Sequence, residues 1–538
     1  MKFNILKRKP RAAKNYEGAR AWNMTLEMEL YTAVVSSMLQ DKFYEKSNKS
    51  LVRIRELIAR VSPEFVAKLA VYAREKMYLR SVPVVLVVEL AASGKSNSLL
   101  KNVIARIVQR ADEITEVLAY YAIRNERKNA KKLNKLSKQV QKGLAVSFNK
   151  FDEYQFAKYN RPGDITLRDA LFIVHPKAEN AEQQLLFDKI AKDELQTPYT
   201  WETEFSALGK LKFDSAELRQ AAFGEKWTEL VMSEKLGYMA TLRNLRNMLE
   251  TNMSAVAIDK VCSYLSNPVS VANSRQLPFR YLAAYRELGG VQSPAASRVM
   301  NALEKAIAIS AGNIPGFEKN ERIAIGIDFS GSMQSAVSAK SKIMNYEVGA
   351  LLAMMLQSRV YDVMTYIFGE NWKLINFPQT GILSNTDSLV NRIGEVGHST
   401  NGYLVLRDLC KRRMVMERVM IFTDCQMWNS NSYSAEEFAP YWKKYKNEVA
   451  PNAKLYLFDL AGYGQTPVDL NTEDVYMIAG WSDKIFNVLA AIERGEDTLS
   501  EIKRIEISVA RGAAGNAVSL RVGNPRLLCD DELKEINF

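Results

Sequence analysis

The 538-residue sequence predicts a chain in two parts, an all-helical N-terminal region followed by a doubly wound α/β domain. Three observations lead there. Residues 17–310 carry apolar stripes at helical spacing without strand-like alternation. Ala311-Gly-Asn-Ile-Pro-Gly316 then breaks the pattern. Beyond it, short β-rich apolar runs alternate with helical ones, the signature of a parallel sheet with crossover helices.

Within the first part, Leu51, Ile54, Leu57, Ile58 and Val61 share one helix face. Ser62-Pro63-Glu64 supplies an N-cap, a proline at the first helical position and an acid in the first turn. Phe65, Val66, Leu69 and Tyr72 continue the next stripe, and further helices read at 81–92, 99–109 and from Asp112 through Tyr121. Helices of this length joined by short turns suit stacked helical hairpins of the HEAT type. In the second part, strands read at 322–327, 363–368, 419–422, 455–460 and 475–478. Helices read near 342–359, 387–396, 403–413, 435–449 and 482–494. The expected domains are 15–318 (helical), 319–495 (α/β) and a tail, 496–538, packing back on one of them.

Charge separates the two parts. Lysine and arginine number 73 against 61 acids, a net +12. Residues 1–320 hold 50 basic and 34 acidic residues, whereas 321–538 hold 23 and 27, so the excess belongs to the helical region. Its densest run, Arg124 to Lys142, includes Lys128, Lys131, Lys132, Lys135, Lys138 and Lys142. Such a run is ordinarily a solvated helix face. A whole region so basic beside one that is not points to a polyanionic partner, with nucleic acid ahead of membrane.

Several classes drop out. No stretch reaches the ~18 apolar residues of a membrane span, and the basic N-terminus lacks a signal-peptide core. Cys262, Cys410, Cys425 and Cys529 form neither a CxxC pair nor a disulfide framework, so a reducing, cytoplasmic setting is expected. Ser93-Gly94-Lys95-Ser96 resembles the end of a P-loop, but Glu89 stands where the first glycine is required. With two histidines in the chain and no acid/base pair singled out, catalysis is not expected.

Asp328-Phe-Ser330-Gly-Ser332 lies where the first strand of the α/β part hands over to a loop, the edge at which such sheets bind ligands. A carboxylate and two hydroxyls are hard oxygen donors suited to a divalent cation such as Mg²⁺. Thr400 and, at the end of a later strand, Asp424 extend the set. In that order the segment resembles a von Willebrand factor A domain with its metal-ion-dependent adhesion site. Asp328, Ser330 and Ser332 match its DxSxS element, Thr400 its threonine loop and Asp424 its distal aspartate. The resemblance implies a bound cation with one position open to an acidic group of a partner.

A basic helical domain followed by an A domain resembles the Ro autoantigen family, whose RNA-binding portion is called the TROVE module. The stretches that carry the resemblance are Leu133–Lys138, Tyr154–Arg161, Thr166–Lys177, Tyr72–Arg74 with Leu79–Pro83, and Leu277–Leu282. Bacterial members are the closer comparison. The resemblance implies a monomeric ring of HEAT-like repeats closed by the A domain. It implies single-stranded 3′ ends of misfolded noncoding RNAs in the central hole and small Y-like RNAs on an outer basic surface. For the bacterial members it also implies a link through RNA to an exoribonuclease. Lys158, Arg161, Arg168 and His175 are then the candidate RNA contacts, since cations track phosphates and flat rings take splayed bases. By itself His175 reads equally as a core histidine capping a helix, and Tyr154 and Tyr159 read as packing residues. The alternative is a scaffold whose A domain captures an acidic partner through Mg²⁺. A metal-dependent nuclease ranks last.

Overall fold

The computed structural model describes residues 12–37, 47–94, 99–126, 136–251, 253–312, 314–337, 341–430 and 437–507. As the stripes predict, the described residues from Leu26 to Ala311 form a succession of helices. Ser62 caps helix Pro63–Glu75, accepting from the Phe65 amide at 3.2 Å with Pro63 in the first turn. Several basic residues of this region are used internally. Arg74, in one of the stretches that carry the resemblance, pairs at 2.7 Å with Glu113, which is almost fully buried. Glu89, also buried, receives Arg55 and Arg124 at 2.7 Å each. These acids would be costly unpaired, so the arginines fix which helices are neighbours.

The second part is a six-stranded sheet. Its strands are β3 (Arg322–Asp328), β4 (Asp362–Phe368), β5 (Trp372–Ile375), β6 (Arg418–Thr423), β7 (Lys454–Asp459) and β9 (Val475–Ala479). They lie in the order β5-β4-β3-β6-β7-β9, parallel except for the edge strand β5. Alternation in β3 divides two cores: Ile323, Ile325 and Ile327 face the core shared with the helical region, while Ala324 faces a second core with Tyr366, Val419 and Ile421. At Gly326 an added Cβ would stand 2.7 Å from the Ile421 Cδ1, so a larger residue would have to displace the end of that side chain.

Two of the expected elements differ in the structure. The segment 17–25 is not helical: β1 (Ala12–Lys14) and β2 (Arg20–Asn23) form a hairpin, and β2 pairs with β8 (Gln465–Thr466) of the α/β part. The helix expected near 387–396 runs instead from Ile382 to Val390. Residues 496–507 run onto helix Pro63–Glu75, where Lys68 donates to the Lys503 carbonyl at 2.9 Å; 508–538 lie outside the described residues.

The helical succession meets the sheet at both of its ends. At its start, helix Leu26–Val35 packs on β9, with the Tyr31 hydroxyl donating to the Ala479 carbonyl and the Ser36 hydroxyl to that of Asp459. At its finish, helices Pro278–Leu288 and Ala296–Ala311 pack on helix Asn345–Gln357, every residue of which is buried. Arg286 bridges that seam, reaching Glu347 and Asp387 at 2.8 Å each. The Glu304 carboxylate accepts the Leu383 and Ser384 amides at the start of helix Ile382–Val390.

Replacing Arg286 by methionine strands the buried Glu347 carboxylate, and we expect it to cost about 2–3 kcal/mol of stability. Adding Glu347→Gln should recover part of that loss. Denaturant unfolding of both variants checks this, and additive losses in the double variant would contradict it.

Candidate nucleic-acid interface and cation site

The parallel sheet brings the DxSxS element and the distal aspartate together because β3 and β6 are neighbours. Asp328 is fully buried. Its Oδ1 accepts the Ser330 amide at 2.9 Å and its Oδ2 the Thr423 hydroxyl at 2.6 Å. The Ser330 and Ser332 hydroxyls lie 3.2 Å apart. The Gly331 amide donates to the His398 carbonyl at 2.8 Å, which draws the threonine loop over the site. Thr400 is buried there, its carbonyl accepting from the Trp428 amide. Asp424 is buried too; its Oδ1 accepts the Gln426 amide at 3.0 Å, while its Oδ2 has no hydrogen-bond partner.

Burial pushes both carboxyls above the ordinary carboxylate range, and for Asp424 the charge of Asp328 adds to the shift. A buried carboxylate oxygen without a donor, beside a second carboxylate and two hydroxyls, fits a hard divalent cation. Among the described residues no cluster of three His, Cys, Asp or Glu side chains is placed to hold a metal, so a cation here would need the serine and threonine oxygens. His398 is exposed and bonds through its Nδ1 to Gln334 at 2.9 Å.

The described candidate RNA contacts sit on, or just beyond the ends of, three helices. Helix Glu153–Tyr159 opens with a reciprocal Asp152–Gln155 cap and buries Phe156 against Phe148 and Phe151. On it, the Lys158 ammonium stands 5.6 Å from the Tyr154 ring centre and 5.7 Å from that of Tyr159. Arg110, from a neighbouring helix, covers Tyr159 at 4.2 Å. Burial holds Lys158 below its ordinary pKa, and the Glu202 charge works against that shift. Lys158 and the exposed Arg161 line one cavity together with Gln196, Thr197 and Glu202.

Arg168 and His175 do not line that cavity; they stand at opposite ends of helix Leu167–Val174. His175 terminates it in the left-handed conformation, φ 51°, with an exposed side chain. Thus it does cap a helix, through its backbone, and leaves its ring free of the core. The Gln141 side chain donates to the Val174 carbonyl at 3.1 Å, which places the exposed Lys138–Lys142 face of helix Lys138–Phe148 beside that helix end. Lys128, Lys131, Lys132 and Lys135 lie outside the described residues.

Sequence reasoning passed over some groups. Tyr154 and Tyr159 serve as faces for cations rather than only as packing. Arg110 and Glu202 come from segments more than 40 residues away from Lys158, with no local motif to mark them. Tyr78 carries two cations from distant segments, Arg275 at 5.3 Å and Lys484 at 6.0 Å from its ring centre. Its neighbour Leu79-Arg80 was the nearest available signal.

Comparison with known proteins agrees with this architecture. The family model of the TROVE domain matches residues 22–223 and 194–362, and that of the Ro60 vWA domain matches 322–492. The chain is similar to telomerase protein component 1 of Rattus norvegicus, 24% identical over 353 residues, and of Mus musculus, 23% identical over 379. Those matches take in 51% and 56% of this chain but 13% and 14% of the relatives' own lengths. The crystal structure of the Deinococcus radiodurans RO (RSR) protein superposes with a TM-score of 0.54 at 18% identity. That superposition covers 88% of this chain and 100% of the other. With its helical succession in the TROVE match and its sheet in the Ro60 vWA match, the chain belongs to the Ro family of TROVE-domain proteins, an RNA-binding family.

Proposed function

We propose that this protein binds noncoding RNA without cleaving it, taking the single-stranded 3′ ends of misfolded RNAs in a central hole. Small Y-like RNAs would lie on its outer basic surface, and an exoribonuclease would be linked to it through RNA in the cytoplasm. The observation that carries the reading is the half-buried Lys158 ammonium held between two tyrosine faces at the lip of a cavity it shares with Arg161. A half-buried cation beside the exposed Tyr154 ring suits a strand whose phosphates and unstacked bases are both accessible. The Lys138–Lys142 face beside His175 extends the cationic track and suits phosphates of a longer or folded RNA.

In the A domain, Asp328, Ser330, Ser332, Thr400 and Asp424 would hold a divalent cation, Mg²⁺ being the best fit to five hard oxygens. Bound there, the cation supplies a Lewis-acidic position for an acidic group of a partner. The unpartnered Asp424 Oδ2 supports this part of the proposal.

Lys158→Ala combined with His175→Ala should weaken binding of RNA with a single-stranded 3′ tail by about 10–100-fold, through lost phosphate contacts, with thermal stability retained. Filter binding at one fixed salt concentration checks it. Unchanged affinity in the folded double variant would refute the assignment.

The raised pKa values of Asp328 and Asp424 also set a pH dependence. A carboxyl whose folded pKa lies above its unfolded value stabilises fully below the unfolded value of ~4, and that stability is lost as pH rises through the folded value. In chelator the protein should therefore lose stability from mildly acidic to mildly alkaline pH relative to Asp424→Asn. Added Mg²⁺ should restore the parent and leave the variant unmoved. A melting-temperature gap independent of both pH and Mg²⁺ would contradict the cation site.

A further inference from the structure

The cavity beside Lys158 has a volume of about 350 Å³, within the range of small-ligand sites. One wall is the end of helix Glu153–Tyr159 with Ala157, Lys158, Asn160 and Arg161. The other is the connector 195–200 and the first turn of helix Trp201–Leu208. This connector is held in place. The Gln196 amide donates to Glu153 Oε1 at 3.2 Å while Lys189 binds Oε2 at 2.7 Å, and the Thr203 hydroxyl donates to the Pro198 carbonyl at 2.8 Å. A reciprocal Thr200–Thr203 cap starts the helix that presents Glu202.

The lining is divided in sign. Lys158 and Arg161 are cations, Glu202 is an exposed carboxylate, and none of the three has an ion-pair partner within 4.0 Å among the described residues. A site for phosphate alone gains nothing from a carboxylate, which repels the anion. The division suits a ligand with an anionic end and a donor-rich end, joined by a flat apolar body against Ala157, Leu195 and Pro198. A nucleotide has that pattern. Among the RNA bases guanine offers two adjacent donors, N1–H and the N2 amino group, matching both oxygens of one carboxylate in the manner of a bidentate pair. Adenine and cytosine set a single amino donor beside a ring acceptor, and uracil flanks its one N–H with two carbonyls that a carboxylate repels.

We propose that this cavity receives one unpaired guanine nucleotide of the bound RNA. Glu202 accepts from its Watson–Crick edge, and Lys158 and Arg161 neutralise the adjoining phosphates. The proposal rests on the RNA-binding reading above and adds base selectivity to it.

The test uses the full chain and hairpin RNAs with 3′ tails of equal length, one all-uridine and one carrying a single guanosine, together with an inosine version lacking the N2 amino group. We expect the guanosine tail to bind about tenfold tighter than the uridine tail, with inosine between them. Glu202→Gln, at an exposed position, should erase that preference. Equal binding of guanosine and uridine tails, or an unchanged preference in Glu202→Gln, would overturn the cavity assignment while leaving tail binding intact. No preference of any tail over a blunt hairpin would overturn the underlying reading as well. Tight binding of GMP alone would assign the cavity to a free nucleotide instead of RNA and so overturn the proposal.

Discussion

One sheet anchors both ends of a helical succession nearly three hundred residues long, and the arrangement of the rest depends on that double attachment. The first helix is tied to the carboxyl ends of β7 and β9 by Ser36 and Tyr31, and β2 extends the tie by pairing with β8. The last two helices are tied to helices Asn345–Gln357 and Ile382–Val390 of the same domain through Arg286 and Glu304. Between these attachments the helices pack mostly on others nearby in the chain, as in solenoid folds, and Arg275 on Tyr78 adds a contact between distant helices. Separating the ends would expose helix Asn345–Gln357, which has no polar face to offer water.

The two candidate sites use different chemistry for reasons visible in their surroundings. At the sheet edge, carboxylates and hydroxyls converge in a buried setting where an unmatched negative charge is costly, so a cation is the natural complement. On the helices, cations stand over tyrosine rings at partly open positions, where phosphates and bases can both be met. The N-terminal hairpin links the two regions. Asn15 donates to the Met427 carbonyl at 2.7 Å and the Tyr16 amide to the Gln426 side chain at 2.9 Å. Both partners lie within three residues of Asp424 in the chain. The clasp that fastens the start of the helices therefore rests on the loop that carries the distal carboxylate.

Much of this was legible in the sequence where the signal is local. The stripe from Leu51 to Val61 and the Ser62-Pro63-Glu64 cap needed no partner to be read, and DxSxS lies within five residues of a strand end. What escaped depends on distant partners. Strands β1, β2 and β8 are two to four residues long, too short for a period-two pattern, and β2 finds β8 more than 440 residues away. Helix Ile382–Val390 begins early because Asn385 and Thr386 are buried by bonds to nearby carbonyls, so polarity there misled. The tyrosines at 154 and 159 looked like packing because the cations that use them become neighbours only after folding. No pattern in sequence could show that Glu202 shares a cavity with Lys158 or that one oxygen of Asp424 is left without a donor.

The central claim is that the helical region recognises a free RNA end rather than a polyanion in general. The most direct measurement compares, at one salt concentration, a hairpin with a single-stranded 3′ tail and the same hairpin made blunt. The account expects a strong preference for the tailed RNA that persists as salt is raised, because base contacts are less salt-dependent than phosphate contacts. Equal affinity for the two would contradict it, reducing the region to a basic surface, and no binding to either would favour the metal-dependent scaffold.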